Sequence, residues 1–270
     1  MAPPPQSEEK DFPYWLAAAV LLAIGLGIII ATTGLYRQVF NTVSKGIAIT
    51  LFVTCVGFVL AASLGLLLAI MGLSKSKALR QIARFYVEII RGVPILVLLF
   101  YIAFVIAPAF VVAWNYVTTP LQALGLFGAM GVRDFSLLWR AIIALTIGYS
   151  AFLSEVFRAG ILAVDKGQIE AAKALGLTGW LRFRLVEFPQ AIKTILPPLG
   201  NDFIAMVKDS SLVSVLGVAD ITQMGKVYAS GSFRFFETYS IVAYIYLVMT
   251  VSLSLALRGI ERRLRQSEQR

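Results

Sequence analysis

The sequence predicts an all-α membrane protein with about six transmembrane helices. Three observations carry this fold class. Hydrophobic residues make up 59% of the 270 residues, charged residues only 14%, and the mean hydropathy is +0.81, far from the balance of a soluble domain. Apolar runs of about 20 residues, each long enough to cross the hydrocarbon core, recur along the chain. Basic residues fall in short clusters between those runs. The formal net charge of +9 would suggest nucleic acid if it formed one patch on a soluble fold, and its dispersal argues against that partner. Cys55 is the only cysteine, so no intrachain disulfide forms, and with no histidine the chain lacks both His-based catalysis and the commonest transition-metal ligand. No metal site is expected.

Residues 1–13 are polar and Pro-rich and read as a disordered cytoplasmic N-terminus. Residues 14–46 hold an extra N-terminal transmembrane helix, Tyr14 to about Gly34, and an outer loop. A retained anchor is favoured over a signal peptide, because Glu8, Glu9 and Asp11 oppose the single Lys10 and the apolar run exceeds an ordinary signal core. A second span runs from about Ala48 to Gly72, with Ala61, Gly65 and Gly72 as small residues where another helix could approach. Ser74 to Gly92 is basic and amphipathic, with Lys75, Lys77, Arg80, Arg84 and Arg91, and reads as cytoplasmic. Pro94 to about Val117 is a third span with a kink expected at Pro108; Thr118 to Phe135 is a loop; Leu137 to Leu162 is a fourth span.

A polar loop at 164–193 follows, with Lys166, Lys173, Arg182, Arg184 and Lys193. The fifth span is expected to start near Ile195 and to be irregular, because Pro197, Pro198 and Gly200 fall in its first turns. Ile221 to Phe236 reads as an outer loop, Tyr239 to Leu257 as the sixth span, and 259–270 as a basic cytoplasmic tail. Alternating the sides puts the basic clusters on one face, so the positive-inside rule predicts both termini and the 164–193 loop in the cytoplasm.

The stretch Gly167 to Pro189 is polar and helix-forming in an otherwise membrane-soluble chain. Gln168 to Leu175 holds good or neutral helix formers, Gly176 stands where a left-handed C-terminal cap belongs, and Thr178 is placed to cap a second piece from Trp180. Ile169, Ala172 and Leu175 or Gly176 share one helical face, with Lys166, Glu170 and Lys173 around the rest, which suggests a small apolar knob with charged edges. Glu170-Ala171-Ala172, then Gly176, then Val186, Phe188 and Pro189 resembles the EAA loop of binding-protein-dependent ABC transporter permeases. Val186 and Phe188 replace that family's Ile and Leu. The resemblance extends from about Ile47 to Leu257, is closest to the polar amino acid uptake branch, and includes Tyr86-Val87-Glu88, Arg91-Gly92-Val93-Pro94, Glu155 with Arg158-Ala159-Gly160, and Lys208-Asp209-Ser210-Ser211-Leu212.

The resemblance implies a five-helix permease domain at 47–258, preceded by the extra helix, in a multi-pass protein of the bacterial plasma membrane. It implies import of polar amino acids, basic ones among them, with Gln168, Ile169, Glu170, Ala171, Ala172, Leu175 and Gly176 coupling the chain to an ATPase. The expected partners are a second permease chain, alike or different, two cytoplasmic ABC ATPases and an extracytoplasmic amino acid-binding protein. ATP and Mg are expected in the ATPase, with no cofactor bound here. The chain itself is not expected to be an enzyme.

Charges inside the membrane are costly unless paired or solvated, so they mark a candidate substrate path. Glu155, Asp202, Lys208 and Asp209 are such charges, with Ser210 and Ser211 beside them. With Lys193 as the inner boundary, Asp202 lies about 14 Å and Asp209 about 24 Å deep. Asp202, Met206 and Asp209 share one stripe of an unbroken helix. For Lys208 to Ser211 the competing reading is a polar break that satisfies its own backbone, and for Glu155 an intrahelical pair with Arg158. Three carboxylates against one ammonium favour a substrate with a positive group, whose own carboxylate could meet Lys208.

Catalytic motifs are incomplete. Gly148-Tyr149-Ser150 lacks the closing glycine and any histidine base of a nucleophile elbow, so Ser150 reads as a packing residue. Gly225-Lys226 lacks the earlier glycine, held by Asp220, and the hydroxyl residue, replaced by Val227, of a phosphate loop. A permease for another small solute, an ion-coupled secondary transporter and a non-transporting membrane scaffold are the alternative functions.

Overall fold

Long apolar runs cannot leave backbone amides unpaired in lipid, so they form helices, and helices follow one another along residues 14–266, the part of the chain that the computed structural model describes. They are α1 (Tyr14–Thr32), α2 (Gly34–Val43), α3 (Ile47–Leu73), α4 (Lys77–Gly92), α5 (Ile95–Tyr101), α6 (Ala107–Ala123), α7 (Leu137–Leu162), α8 (Lys166–Ala174), α9 (Gly179–Arg182), α10 (Phe188–Asp209), α11 (Ile221–Ser232) and α12 (Phe235–Gln266). No strand occurs among the described residues. The expectation of disorder for 1–13 and the end of the basic tail, 267–270, lie outside them.

Among the described residues, four helical runs are long and apolar enough to cross a membrane: Gly34–Leu73, Ile95–Ala123, Leu137–Leu162 and Phe235–Arg262. The two other expected spans correspond to α1, 19 apolar residues, and to α10, whose 22 residues reach about 33 Å. Prolines and charges lower the hydropathy of α10. The apolar window of α7 is 67% buried, against 33% or less in the other three, so α7 is the central helix. Against it α3 packs on small residues. Ala61 is fully buried, and a Cβ added to Gly65 would sit 3.0 Å from both Leu153 Cβ and the Ser150 carbonyl oxygen. On the opposite flank α10 leans on Gly160, where an added Cβ would overlap Ile195. Gly72, expected with Gly65 as part of a small face, meets nothing within 4 Å.

Four expectations are corrected. Helix α10 begins at Phe188, not near Ile195, and runs unbroken through Pro197 and Pro198, because it is held by α7 at Ile195 and by Leu257 of α12 at Gly200. Residues 118–123, expected in a loop, extend α6 past Pro120. There Asn115 clamps the following segment, donating to the Met130 carbonyl and accepting from the Met130 amide, both at 2.8 Å. The irregularity expected at Pro108 lies instead just before it, in a π turn at Ile102–Ile106, and Pro108 itself falls in the first turn of α6. Buried Arg140 donates to the carbonyl of Ala103 in that turn at 2.9 Å and to that of Phe135 at 2.8 Å.

The segment from Ile221, expected as an outer loop, is helix α11, capped by Asp220, which accepts from the Gln223 amide at 2.8 Å. Asp220 is fully buried. Burial pushes its carboxyl above the ordinary range, opposed by the amides of Gln223 and Thr222 and by the hydroxyls of Tyr246 and Thr222. The Ile221 amide donates to Thr50 at 3.2 Å, so this network ties α3, α11 and α12 together at the end away from α8.

Gly65→Val is expected to lower the stability of the purified chain by about 1–3 kcal/mol through overpacking against α7, whereas Gly72→Val, facing open space, should leave it unchanged; thermal unfolding in detergent measures both.

Candidate functional site

The polar stretch after α7 folds as two short helices at one end of the bundle. Asp165 caps α8, accepting from the Gln168 amide at 3.1 Å, and Gly176 ends it with φ +75°. The Leu177 amide donates to the Ala172 carbonyl at 3.1 Å and the Gly176 amide to that of Lys173 at 2.9 Å. This pair is the Schellman arrangement that a glycine in the left-handed region makes possible. Thr178 caps α9, which begins at Gly179, one residue before the expected Trp180. A π turn over Phe183–Glu187 then leads into α10, and Gln190 donates to Gln168 at 2.5 Å, tying α8 to the start of α10.

The apolar knob expected on the Ile169/Ala172 face points inward. Ala172 is only 3% exposed, and Ile169 packs against the main core. Leu175, 80% exposed, and Trp180, 67% exposed, protrude instead, with Gln168, Glu170, Ala171 and Gly176 also exposed. The inward face anchors the loop on the bundle and the outward face is exposed. The grouping by helical period holds for Ile169 and Ala172 but not for Leu175 or Gly176, because the helix ends at Ala174 and its C-terminal turn carries these two out to the exposed side.

Of the candidate path residues, Glu155 pairs with Arg158 one turn away, at 2.5 Å. Because α10 is unbroken, Asp202, Met206 and Asp209 do lie on one stripe. Met206 is fully buried, and both carboxylates are half-buried. Asp209 accepts from the Tyr149 hydroxyl of α7 at 2.8 Å. Tyr149 lies about 9 Å along α7 from Glu155, so the structure brings Asp202 and Asp209 towards Tyr149 and leaves Glu155 at a separate level nearer α8. Lys208 is exposed. Ser210 is fully buried and donates back to the Val207 carbonyl at 2.7 Å, so in this chain it closes the end of α10 and does not open towards a path. Ser211 is half-buried.

Ser150 takes the packing role expected of it: it is fully buried, donates to the Ile147 carbonyl and meets the Tyr86 hydroxyl, each at 2.8 Å. The sequence reasoning gave Tyr86, Tyr149 and Arg140 no partner inside the chain. For Tyr149 and Arg140 the available signal was a polar-ended side chain inside an apolar run, since that end requires a partner there.

These features, an anchored helical protrusion at one end of the bundle and half-buried carboxylates within it, fit a transport protein better than an enzyme. The model of the family described as "Binding-protein-dependent transport system inner membrane component" matches residues 61–266. The chain belongs to this family. It is 37% identical over 216 residues to the probable amino-acid permease protein YxeN of Bacillus subtilis, covering 80% of this chain and 88% of the relative. It is 33% identical over 221 residues to the glutamine transport system permease protein GlnP of Escherichia coli, covering 82% and 92%. Among solved structures it resembles an amino acid ABC transporter crystallised with histidines, with a TM-score of 0.67, 38% identity and coverage of 84% of this chain and 95% of that one. The methionine ABC transporter MetNI, at 20% identity, a TM-score of 0.58 and coverage of 86% and 99%, shares the fold.

As an inner-membrane component of this family, the chain needs its buried polar contacts satisfied in lipid. Tyr149→Phe removes the donor to Asp209 and is expected to cost about 1–3 kcal/mol, read as a lower unfolding temperature of the purified protein. Asp209→Asn, which keeps an acceptor for Tyr149, should cost less.

Proposed function

We propose that this chain is the membrane-spanning subunit of an ATP-driven importer of polar amino acids, and that α8 and α9 dock it onto a separate ATPase. The observation that carries the reading is the loop itself. Its inward face is anchored by Ala172 and Ile169, its end is closed by Gly176, and Leu175 and Trp180 are presented outwards. A lever that transmits motion must be stiff where it joins the bundle and exposed where it meets its driver, and this loop is both. The names of the relatives, an amino-acid permease and a glutamine permease, support the substrate class.

In this reading the permease domain occupies 47–258, and the basic clusters around Lys75, Lys173 and Arg258 face the cytoplasm, as do both termini. A second permease chain, like or unlike, shares the path. An extracytoplasmic binding protein delivers the substrate at the end bounded by α11, and two ATPases, which hold ATP and Mg, engage the coupling loops. Their closure draws the loops together and switches the path from inward to outward access. Asp202 and Asp209 then offer negative charge to the ammonium or basic group of the passing amino acid.

Uptake of labelled arginine, glutamine and glutamate into proteoliposomes tests this, with and without the ATPase and binding protein and with ion gradients collapsed. ATP-dependent uptake is the expected result; uptake that needs an ion gradient and ignores ATP would overturn the reading. Leu175→Asp should lower ATP-driven uptake at least tenfold while leaving membrane insertion and chain stability intact. Gly176→Pro, which removes the amide donated to Lys173, should do the same by distorting the lever. Normal uptake by both variants would remove the loop from its assigned role.

A further inference from the structure

Between the inner ends of α3 and α7 and the length of α4 lies a cavity of about 340 Å³, whose charged lining is Arg80, Arg84, Glu88, Arg91, Glu155 and Arg158. We infer that this cavity is a binding site for the zwitterionic headgroup of an amino acid, with Arg84 and Arg91 of α4 holding the α-carboxylate and Glu88 the ammonium. The inference rests on the reading of the chain as an amino acid permease and deepens it. It supplies the carboxylate partner that the sequence had offered only at Lys208, and it places recognition of the headgroup at the α8 end of the bundle.

The assignment follows from which groups are already engaged. The Arg158 guanidinium is paired with Glu155 at 2.5 Å. Arg80 donates to the carbonyls of Ser74 at 2.8 Å and Lys75 at 3.0 Å, which closes the turn between α3 and α4. Arg84 and Glu88 have no hydrogen-bond or ion-pair partner among the described residues. Arg91 lies over the ring of Phe152, 5.6 Å from its centre. No hydrogen bond or ion pair engages the Arg91 N–H groups among the described residues, although Glu155 is near enough to attract its charge. The set without a hydrogen bond or ion pair is therefore two guanidiniums and one carboxylate.

Spacing makes these three groups one surface. Residues 84, 88 and 91 stand at i, i+4 and i+7, so they form a single stripe of α4, and all three line the cavity. Ala83 and Val87 are buried, and the Tyr86 hydroxyl bonds the Ile147 carbonyl of α7 at 3.1 Å, so the helix bearing the stripe is fixed. A carboxylate matches the planar fork of an arginine through two parallel hydrogen bonds. The order cation, anion, cation along the stripe suits a ligand that carries both signs on groups attached to one carbon. It suits a simple anion less well, because Glu88 would repel it. The volume lies at the lower end of small-molecule pockets.

Recognition of the headgroup alone is common to all amino acids, so this site selects for the class and leaves side-chain selection to other parts of the path. The test is a titration of the purified complex of this chain with its ATPase, without the binding protein, using glutamine and glutamine α-amide, which lacks the carboxylate. Wild type should bind the acid about tenfold or more tightly than the amide. Arg84→Gln/Arg91→Gln should weaken the acid to the level of the amide and leave the amide unchanged, and Arg84→Lys/Arg91→Lys should recover part of the preference. An undiminished preference for the acid in the glutamine variant would overturn the inference, as would equal weakening of both ligands or wild-type binding that does not distinguish them. Displacement of glutamine by vesicles of anionic phospholipid, with no effect of the α-amide, would reassign the arginines to a lipid headgroup and overturn it too. Failure of the wild-type importer to take up any amino acid in the proteoliposome assay would remove the importer reading and this inference with it. Uptake together with any of the other adverse outcomes removes this inference alone.

Discussion

The close approach of α3 to α7 is the contact on which the other parts of the bundle depend. Lipid offers no hydrophobic drive for one apolar helix to leave it and join another, so association rests on van der Waals fit and a few polar bonds. Gly65 lets the α3 backbone meet the turn of α7 at Ser150 to Ser154 at distances that a side chain would not allow, and Thr146 of α7 reaches the Gly57 carbonyl of α3 at 3.4 Å. Once α7 is set in this seam, its other sides are free to receive α10 at Gly160, α4 at Tyr86 and the π turn of Ile102–Ile106 at Arg140. A helix with two-thirds of its apolar window buried in the chain is a fixed axis against which the rest can be positioned.

That axis also explains how the loop and the polar groups are related. Helix α8 follows the C-terminal end of α7 after a short turn and is tied to the start of α10 by Gln168 and Gln190, so the loop is joined to both helices. The same two helices carry Tyr149 and Asp209, which are joined by a hydrogen bond well inside the bundle. The protrusion and the intramembrane carboxylates are thus built on one pair of packed helices. At the opposite end, the buried Asp220 network joins α11 to α3 and α12, which gives that end its own fixation.

Polar residues within the apolar helices divide into those with partners inside the chain and those without. Arg140, Ser150, Ser210 and Asp220 are buried and hydrogen-bonded, as a low-dielectric setting demands. Arg84, Glu88 and Lys208 are exposed and no hydrogen bond or ion pair engages them among the described residues. In a membrane protein an exposed charge within or beside an apolar helix requires water, a ligand or another chain, and this division singles out the residues with work beyond folding.

The sequence by itself determined the fold class, the order of the apolar helices and the capped loop ending at Gly176, and it offered the pairing of Glu155 with Arg158 as one of two readings. All of these are local: they follow from hydropathy over about 20 residues, from a left-handed cap, or from a spacing of one helical turn. Tertiary structure decided the rest. The run of α10 through Pro197 and Pro198 depends on the helices that flank it, and intrinsic propensity pointed the other way. The extension of α6 past Pro120 and the helix at Ile221 were likewise hidden, because polar residues near a span end read as loop until Asn115 and Asp220 are seen to be bonded. Helical periodicity grouped Ile169 with Ala172 but carried no information on whether that group faced the bundle or the solvent, and packing turned it inward. The bond from Tyr149 to Asp209 and the cavity beside α4 join residues 60 and more apart in sequence, and no local pattern encodes a contact whose two halves meet only when α7 becomes the axis of the bundle.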